Sequence, residues 1–429
     1  MDYQETLDYI HGVGLRGSIP GLERISALME LLGNPQDNLK YIHIGGTNGK
    51  GSASAFLSYI LVSAGLKVGL YTSPFIHVYN ERMQINNVNI GNEELAEIAT
   101  YVRSFADTLS DPPTEFEINT AIAFEFFSRN NCDIVVLEVG MGGEFDATNI
   151  IKNCEAAVLM SISLDHTEYL GDTVEKIAAT KSGIIKKGCQ VVLYKQNPSV
   201  MDVIKNKCSL MGAELSISEP ENLTVLEVNV DGQTIESKDF GRLNINLPGA
   251  YQVPNLAVVL KTVQMLKKLG YDISDDAVRK GLEKTRWPGR FELLGKDPVF
   301  LVDGGHNPDG IIATAQSLKN IFRDKKITFI FGVMADKNYR EMLEVILPMS
   351  RCFYCVVPDN KRALDSLSLA KVINDMGGMA IPCDSIEGAV LKACTESSPD
   401  DVICTIGSLY MIGDIKNAYF KIKPTCNLN

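Results

Sequence analysis

The chain has 429 residues, 45% hydrophobic and 22% charged, an ordinary globular composition that excludes disordered and collagen-like classes. Its length exceeds what one hydrophobic core supports, so two domains are expected. A net charge of -12 argues against nucleic acid or an anionic membrane as the main partner, and any anionic substrate must meet positive charge that is local.

No apolar run approaches ~20 residues, so no membrane span is expected. The start, MDYQETLDYI, lacks a basic region followed by an apolar core, so neither a signal peptide nor a destination other than the cytoplasm is expected. Ten cysteines in a chain of this length do not make a disulfide scaffold. Cys132, Cys189, Cys355 and Cys404 sit in apolar runs, and the CxxC of Cys352 and Cys355 lies inside strand-like CFYCVVP, which reads as core and not as a redox or metal site.

In chain order, residues 2–32 predict two short helices around a glycine-containing loop, Gly12–Pro20. A strand at 41–44, a glycine-rich turn, a helix at 52–64 and a strand at 67–71 then make one βαβ unit. A hairpin is expected at 82–90, and helices at 92–109 and 115–129. Ile134–Val139 is apolar except for Glu138, the mark of a parallel strand buried on both faces. A strand at 156–163, a helix at about 173–186 and a strand at 190–194 follow. Residues 223–247 alternate apolar and polar around Asp231-Gly232, which predicts antiparallel strands. Helices at 251–269 and 275–285 lead to Arg286-Trp287-Pro288-Gly289-Arg290, read as a hinge because Pro-Gly cannot continue a helix. Strands at 299–302, 327–332, 352–357, 379–382 and 401–406 then alternate with helices. The expectation is an α/β protein with a phosphate-loop NTPase-like, mostly parallel sheet domain (1–290) and a smaller Rossmann-like α/β domain (291–429).

The chemistry centres on Ile42–Ser52, IHIGGTNGKGS. A strand runs into glycines and then into a helix, as in a phosphate-binding loop, although the spacing before Gly49 is short for GxxxxGK[ST]. Glycines let backbone N–H groups approach phosphate oxygens, the helix N-terminus adds partial positive charge, Lys50 reaches the β- and γ-phosphates, and Ser52 is placed for Mg²⁺. Other strand ends supply Thr72/Ser73, Glu138 and Asp165/His166, where doubly wound folds bind ligands. A buried Glu138 calls for a cation, either Mg²⁺ or a basic side chain. His166 reads equally as a hydrogen-bonded strand-end histidine. By helical pattern alone Lys181 is a solvated surface lysine. In the second domain Asp303 and His306 lie in a strand-end turn, DGGHNPDG, where Asp303 and Asn307 could equally be turn and cap formers.

Eleven segments together resemble the folylpolyglutamate synthase / dihydrofolate synthase family of the Mur ligase superfamily. They are GGTNGKGS (45–52), YTSPF (71–75), NERMQIN (80–86), TEFE (114–117), EVGMGGEFDATN (138–149), LDHTEYLGDT (164–173) with ATKSGIIK (179–186), NLPGAYQVPNLAVV (246–259), WPGRFE (287–292), DGGHNPDG (303–310) and TIGSLY (405–410). Two positions depart from the family pattern: Gly305 stands where alanine is usual, and Glu144 where a basic residue is frequent.

The resemblance implies an ATP-dependent amide ligase. A folate γ-carboxylate attacks the γ-phosphate of ATP, and the amino group of L-glutamate displaces phosphate from the resulting acyl phosphate. Catalytic roles fall to Lys50, His166, Lys181 and His306. ATP is taken by Thr47, Asn48, Gly49, Lys50, Gly51, Ser52, Asn255, Arg290 and Asp303. Two Mg²⁺ ions are implied, with Ser73 and Glu138 at one, and His166 and a carbamylated Lys181 at the other. Thr114, Glu115, Phe116, Glu117, Phe145, Asp146 and Ala147 match the pterin-contacting segments. The expected partners are folate, L-glutamate and ATP, with the chain acting as a monomer. The alternatives are a Mur-type ligase of cell-wall precursors and a phosphate-loop kinase or ATPase.

Overall fold

The computed structural model describes residues 1–14 and 19–423, so four residues of the loop expected between the first two helices, 15–18, lie outside it. Two units emerge from internal contacts. The first comprises Met1–Leu223, Ser237–Gly241 and Val253–Thr285; the second comprises Thr224–Glu236, Arg242–Gln252 and the chain from Arg286 on.

The first unit is built on β1 (Tyr41–Gly45), β2 (Val68–Tyr71), β3 (Met83–Ile85), β4 (Val88–Asn89), β5 (Ile134–Glu138), β6 (Cys154–Leu159), β7 (Gln190–Leu193) and β8 (Glu214–Ile217), in the order β4-β3-β2-β5-β1-β6-β7-β8. β2, β5, β1, β6, β7 and β8 pair in parallel. Every residue of β1, β2 and β5 is buried, which is why their sequences read as mainly apolar runs, with His43 and Glu138 as buried polar side chains among them. The hairpin expected at 82–90 forms between β3 and β4. Asn86 and Asn87 both take positive φ in its two-residue turn, the backbone that matches the twist of the strands it joins.

Several elements differ from the sequence reading. β6 ends at Leu159, not at 163, because the chain leaves the sheet to lay Ser161 and Ser163 against the glycine turn. The helix expected at 173–186 stops at Lys181 and tightens into a 3₁₀ turn, Ser182–Ile184. Pro198–Met211 is a helix, capped by the Asn197 side chain and ended by Gly212 at positive φ, that the sequence reading left unassigned.

The helix Lys50–Ser63 is fixed by the helix Asp275–Lys284. Gly281 faces Ile60 so closely that a Cβ would lie 2.5 Å from Ile60 Cα, and any side chain there would lever the phosphate-loop helix away.

The second unit adds β9 (Leu223–Asn229), β10 (Gly232–Ser237) and β11 (Gly241–Ile245) as one small sheet. A second sheet holds β12 (Glu292–Lys296), β13 (Val299–Val302), β14 (Ile327–Phe331), β15 (Ser350–Cys355), β16 (Ala380–Pro382) and β17 (Val402–Ile406) in the order β12-β13-β17-β14-β15-β16. Only the β12–β13 pair is antiparallel in that sheet. Segments 224–236 and 242–252, read from sequence as part of the first domain, belong with this unit. Asp231 pairs with Lys296 (2.9 Å), and Ala250 N donates to Ser317 Oγ (2.8 Å). Cys352 and Cys355 are buried in β15, and each of the nine described cysteines is a free thiol.

Candidate functional site

The glycine turn after β1 is held from below by the end of β6. Thr47 N donates to Ser161 O (2.7 Å), Ser163 N donates to Thr47 Oγ1 (3.1 Å), and a Cβ on Gly46 would sit 2.7 Å from Met160 Cβ. Thr47 and Asn48 therefore spend their N–H groups on Ser161. The N–H groups that can meet an anion are those of the first turn of the helix Lys50–Ser63, which have no acceptor within the helix. Gly49 takes φ 87°, and a Cβ on it would lie 2.5 Å from Asn255 Oδ1. The Asn255 side chain thus lies directly against the turn.

Lys181 is not a surface lysine. It is 5% exposed, and its Nζ donates to Gly46 O (2.9 Å), the same carbonyl that Lys50 Nζ reaches at 3.2 Å. Burial first, and then the Lys50 charge, push the Lys181 ammonium down to about 7. The helical pattern missed this because what buries Lys181 comes from elsewhere in the chain. A Cβ on Gly143 would lie 2.8 Å from Lys181 O and 2.9 Å from its Cα, and one on Gly183 would lie 2.5 Å from Glu144 Cα. The two glycines let the second glycine-rich loop and the end of the helix Val174–Lys181 meet backbone to backbone.

In the order β2-β5-β1-β6, the carboxyl ends of neighbouring strands present Ser73, Glu138, the glycine turn and the 160–166 segment along one edge. Glu138 is 4% exposed and pairs in register with Ile44. His166 takes φ 49° and caps the short helix Thr167–Leu170; its N–H donates to Asp165 Oδ1 (2.9 Å), and its ring is partly exposed. Among the described residues no three His, Cys, Asp or Glu side chains form a ready-made metal cage. One buried carboxylate at this row of strand ends suits Mg²⁺, which keeps waters and shares substrate phosphates with one or two carboxylates.

The segments expected to contact a pterin carry structural work of their own. Thr114 and Glu117 form a reciprocal cap on the helix Glu115–Arg129, and Glu117 also takes a hydrogen bond from buried Arg24 (3.1 Å). The Phe116 ring occupies the space a Cβ on Gly140 would fill. Glu115 and Phe116 are half-buried, Phe145 is exposed and Ala147 is buried. Asp146 accepts from Met141 N (2.8 Å), Thr148 N (3.0 Å) and Thr148 Oγ1 (2.5 Å). Burial raises its carboxyl pKa against those bonds. Thr148 Oγ1 also meets Nε2 of His43 (2.8 Å), whose buried imidazole is pushed down to about 3.

In the second unit Arg290, Asp303 and His306 gather around Gly304. A Cβ on Gly304 would lie 2.0 Å from Arg290 Nη1, so only glycine lets the guanidinium pass. His306 Nδ1 lies 2.8 Å from Gly304 O. A carbonyl only accepts, so Nδ1 carries the proton, and Nε2 is the acceptor of the neutral ring.

Residues 44–263 match the Mur ligase middle domain, and 289–409 match the Mur ligase glutamate ligase domain. The folylpolyglutamate synthase of Lacticaseibacillus casei is 35% identical over 97% of this chain and 98% of its own. The dihydrofolate synthase/folylpolyglutamate synthase of Bacillus subtilis is 34% identical over 96% of this chain and 98% of its own. The chain belongs to the folylpolyglutamate synthase / dihydrofolate synthase family of Mur ligases. The Mycobacterium tuberculosis folylpolyglutamate synthase, solved in complex with ADP and AMPPCP, shares the fold with a TM-score of 0.87 at 29% identity, over 98% of this chain and 99% of that one.

Against the family pattern, Gly305 is not conformationally obliged. A Cβ there would stand 3.1 Å from Asp303 Oδ1 and 3.2 Å from Gly310 O, so the alanine usual in the family fits after small shifts. Glu144 is exposed; its backbone N–H donates to Thr180 O (3.0 Å) and its carbonyl accepts from Asn149 Nδ2 (3.0 Å). Sequence reasoning gave no role to Arg82. Its guanidinium lies 5.2 Å from the Phe75 ring and 5.6 Å from the Tyr79 ring, and its buried Nε has no hydrogen-bond partner among the described residues. The aromatic residues Phe75 and Tyr79, just before NERMQIN, were the available signal. No described helix is long and apolar enough to cross a membrane.

Proposed function

We propose that this chain is an ATP-dependent ligase that joins the amino group of L-glutamate to the γ-carboxylate of a folate, releasing ADP and phosphate. The observation that carries the reading is the convergence of Lys50 and Lys181 on Gly46 O, beside a helix N-terminus and one strand from the buried carboxylate of Glu138. Phosphoryl transfer asks for charge neutralisation and alignment more than for covalent help. Lys50 and the first turn of its helix hold the phosphates, and Asn255, against Gly49, lies where it borders the nucleotide.

Ser73 and Glu138 would hold one Mg²⁺, and His166 with a carbamylated Lys181 a second. Bound Mg²⁺ supplies charge neutralisation to the β- and γ-phosphates and to the carboxylate that becomes the acyl phosphate. Burial supports the carbamate: an enclosed amine next to Lys50 is better tolerated as an anion that faces a hard cation. Arg82, unmatched on Nε, is the cation for a substrate carboxylate at the acceptor side. Arg290 and His306 serve ATP and the incoming glutamate, and the amine of glutamate expels phosphate from the acyl phosphate.

The test is phosphate release from ATP with each substrate omitted in turn. The expected outcome is release that requires both a folate and L-glutamate, with a product one glutamate heavier by mass spectrometry. A kinase would leave phosphate on the acceptor, an ATPase would ignore glutamate, and a cell-wall ligase would ignore folate. The same assay with dihydropteroate in place of the folate reads out a dihydrofolate synthase activity, the other one named for the Bacillus subtilis relative.

A further inference from the structure

The carboxylate of Asp303 is 2% exposed and accepts four hydrogen bonds. Oδ2 takes Tyr251 OH (2.6 Å) and Phe291 N (2.8 Å); Oδ1 takes Gly305 N (2.9 Å) and Thr314 Oγ1 (2.7 Å). A carboxylate offers about four lone-pair directions, so none is left for an incoming ligand.

Each donor fixes something that bears on ligand handling. Phe291 follows Arg290 and is held at φ 47°, a conformation a phenylalanine does not adopt unaided. Gly305 precedes His306. Thr314 ties in the helix Pro308–Phe322, whose N-cap is Asn307. Phe291, Gly305 and Thr314 lie within 12 residues of Asp303, and only Tyr251 comes from far along the chain, 52 residues away. Burial, and then the Asp303 charge, push the Tyr251 phenol well above its usual value, so it is a donor at every working pH.

We propose that Tyr251 is a positioning residue of this enzyme: its hydroxyl completes the shell of Asp303, and Asp303, through Phe291 N and Gly305 N, holds Arg290 and His306 in one arrangement. The inference rests on the reading that Arg290 and His306 serve ATP and L-glutamate. Asp303 then acts through its neighbours and not by touching the nucleotide. Removing the hydroxyl leaves a buried, charged oxygen with one donor, and the carboxylate turns to recover a partner. That turn carries Phe291 N and Gly305 N with it.

The test is the steady-state kinetics of Tyr251→Phe and Thr314→Val, which each remove one hydroxyl donor, beside Arg290→Ala and His306→Ala. Thermal unfolding of each variant runs in parallel. The expected result for Tyr251→Phe is a KM for ATP or for L-glutamate raised about tenfold, with the KM for the folate unchanged and kcat within a few-fold. Thr314→Val should show the same split. A lower melting temperature with all KM values unchanged would mark Tyr251 as structural only and overturn the inference. So would an equal rise in the KM for the folate. If Arg290→Ala and His306→Ala raise the KM for ATP or L-glutamate and Tyr251→Phe does not, the inference fails while the ligand reading stands. If neither of those two variants moves either KM, the ligand reading fails and the inference falls with it.

Discussion

Gly143→Ala tests the contact that buries Lys181. The added methyl meets three backbone atoms, Lys181 O at 2.8 Å, Lys181 Cα at 2.9 Å and Thr180 O at 2.9 Å. No rotamer change can relieve backbone atoms, so the loop and the end of the helix Val174–Lys181 must separate by roughly half an ångström to reach ordinary contact. Overpacking of that kind costs about 2 kcal/mol, or roughly 4–8 °C in melting temperature for a unit of this size. The same separation draws Lys181 Nζ away from Gly46 O. Since ~1 Å of misplacement can cost about a hundredfold, a loss near tenfold in kcat is expected. Calorimetry and the phosphate-release assay measure both effects. Gly12→Ala is the control, because Gly12 lies in the helix Tyr3–Gly14 with open space around it. The same methyl there should stabilise by ~0.5–1 kcal/mol. If Gly143→Ala behaves like Gly12→Ala in melting and turnover, the close approach does not fix Lys181 and the reasoning is refuted.

Lys50→Ala should lower ligation at least a hundredfold, about 2.7 kcal/mol of transition-state charge stabilisation. Its urea midpoint should barely move, because the ammonium hydrogen-bonds to the loop carbonyls of Gly46 and Thr47; more than about a tenth of wild-type activity would remove it from the mechanism. Lys181→Ala should be severely impaired, with part of the activity restored in Lys181→Glu or by short carboxylic acids added to the alanine variant; an active alanine variant indifferent to them would end the carbamate reading. His43 is held neutral in the fold down to about 3, against 6.5 for the unfolded chain. Its neutral form costs nothing above about pH 7, and stability on the order of 4 kcal/mol is lost as pH falls from 6.5 toward 3. Urea midpoints measured over that window should fall less steeply in His43→Leu, and parallel curves would count against it.

What the sequence determined alone are the features written in local chemistry. The mainly apolar runs of β1 and β5 announce strands buried on both faces, and residues 82–90 announce a hairpin. GGTNGKGS announces an anion site at a helix start, because glycine and a helix terminus act within a few residues. The ordered series of motifs carried the family for the same reason. Tertiary structure decided the states of particular side chains, since burial is set by what packs on them from elsewhere. Lys181 reads as a surface lysine until Gly143 and Gly183 bring a distant loop onto its helix. Thr47 and Asn48 read as phosphate donors until Ser161, more than a hundred residues on, takes their N–H groups. Asp303 reads as a ligand or a turn former until Tyr251, from 52 residues away, completes its four hydrogen bonds. Such partners leave no periodicity in the sequence, because a hydrogen bond depends on distance in space and not along the chain.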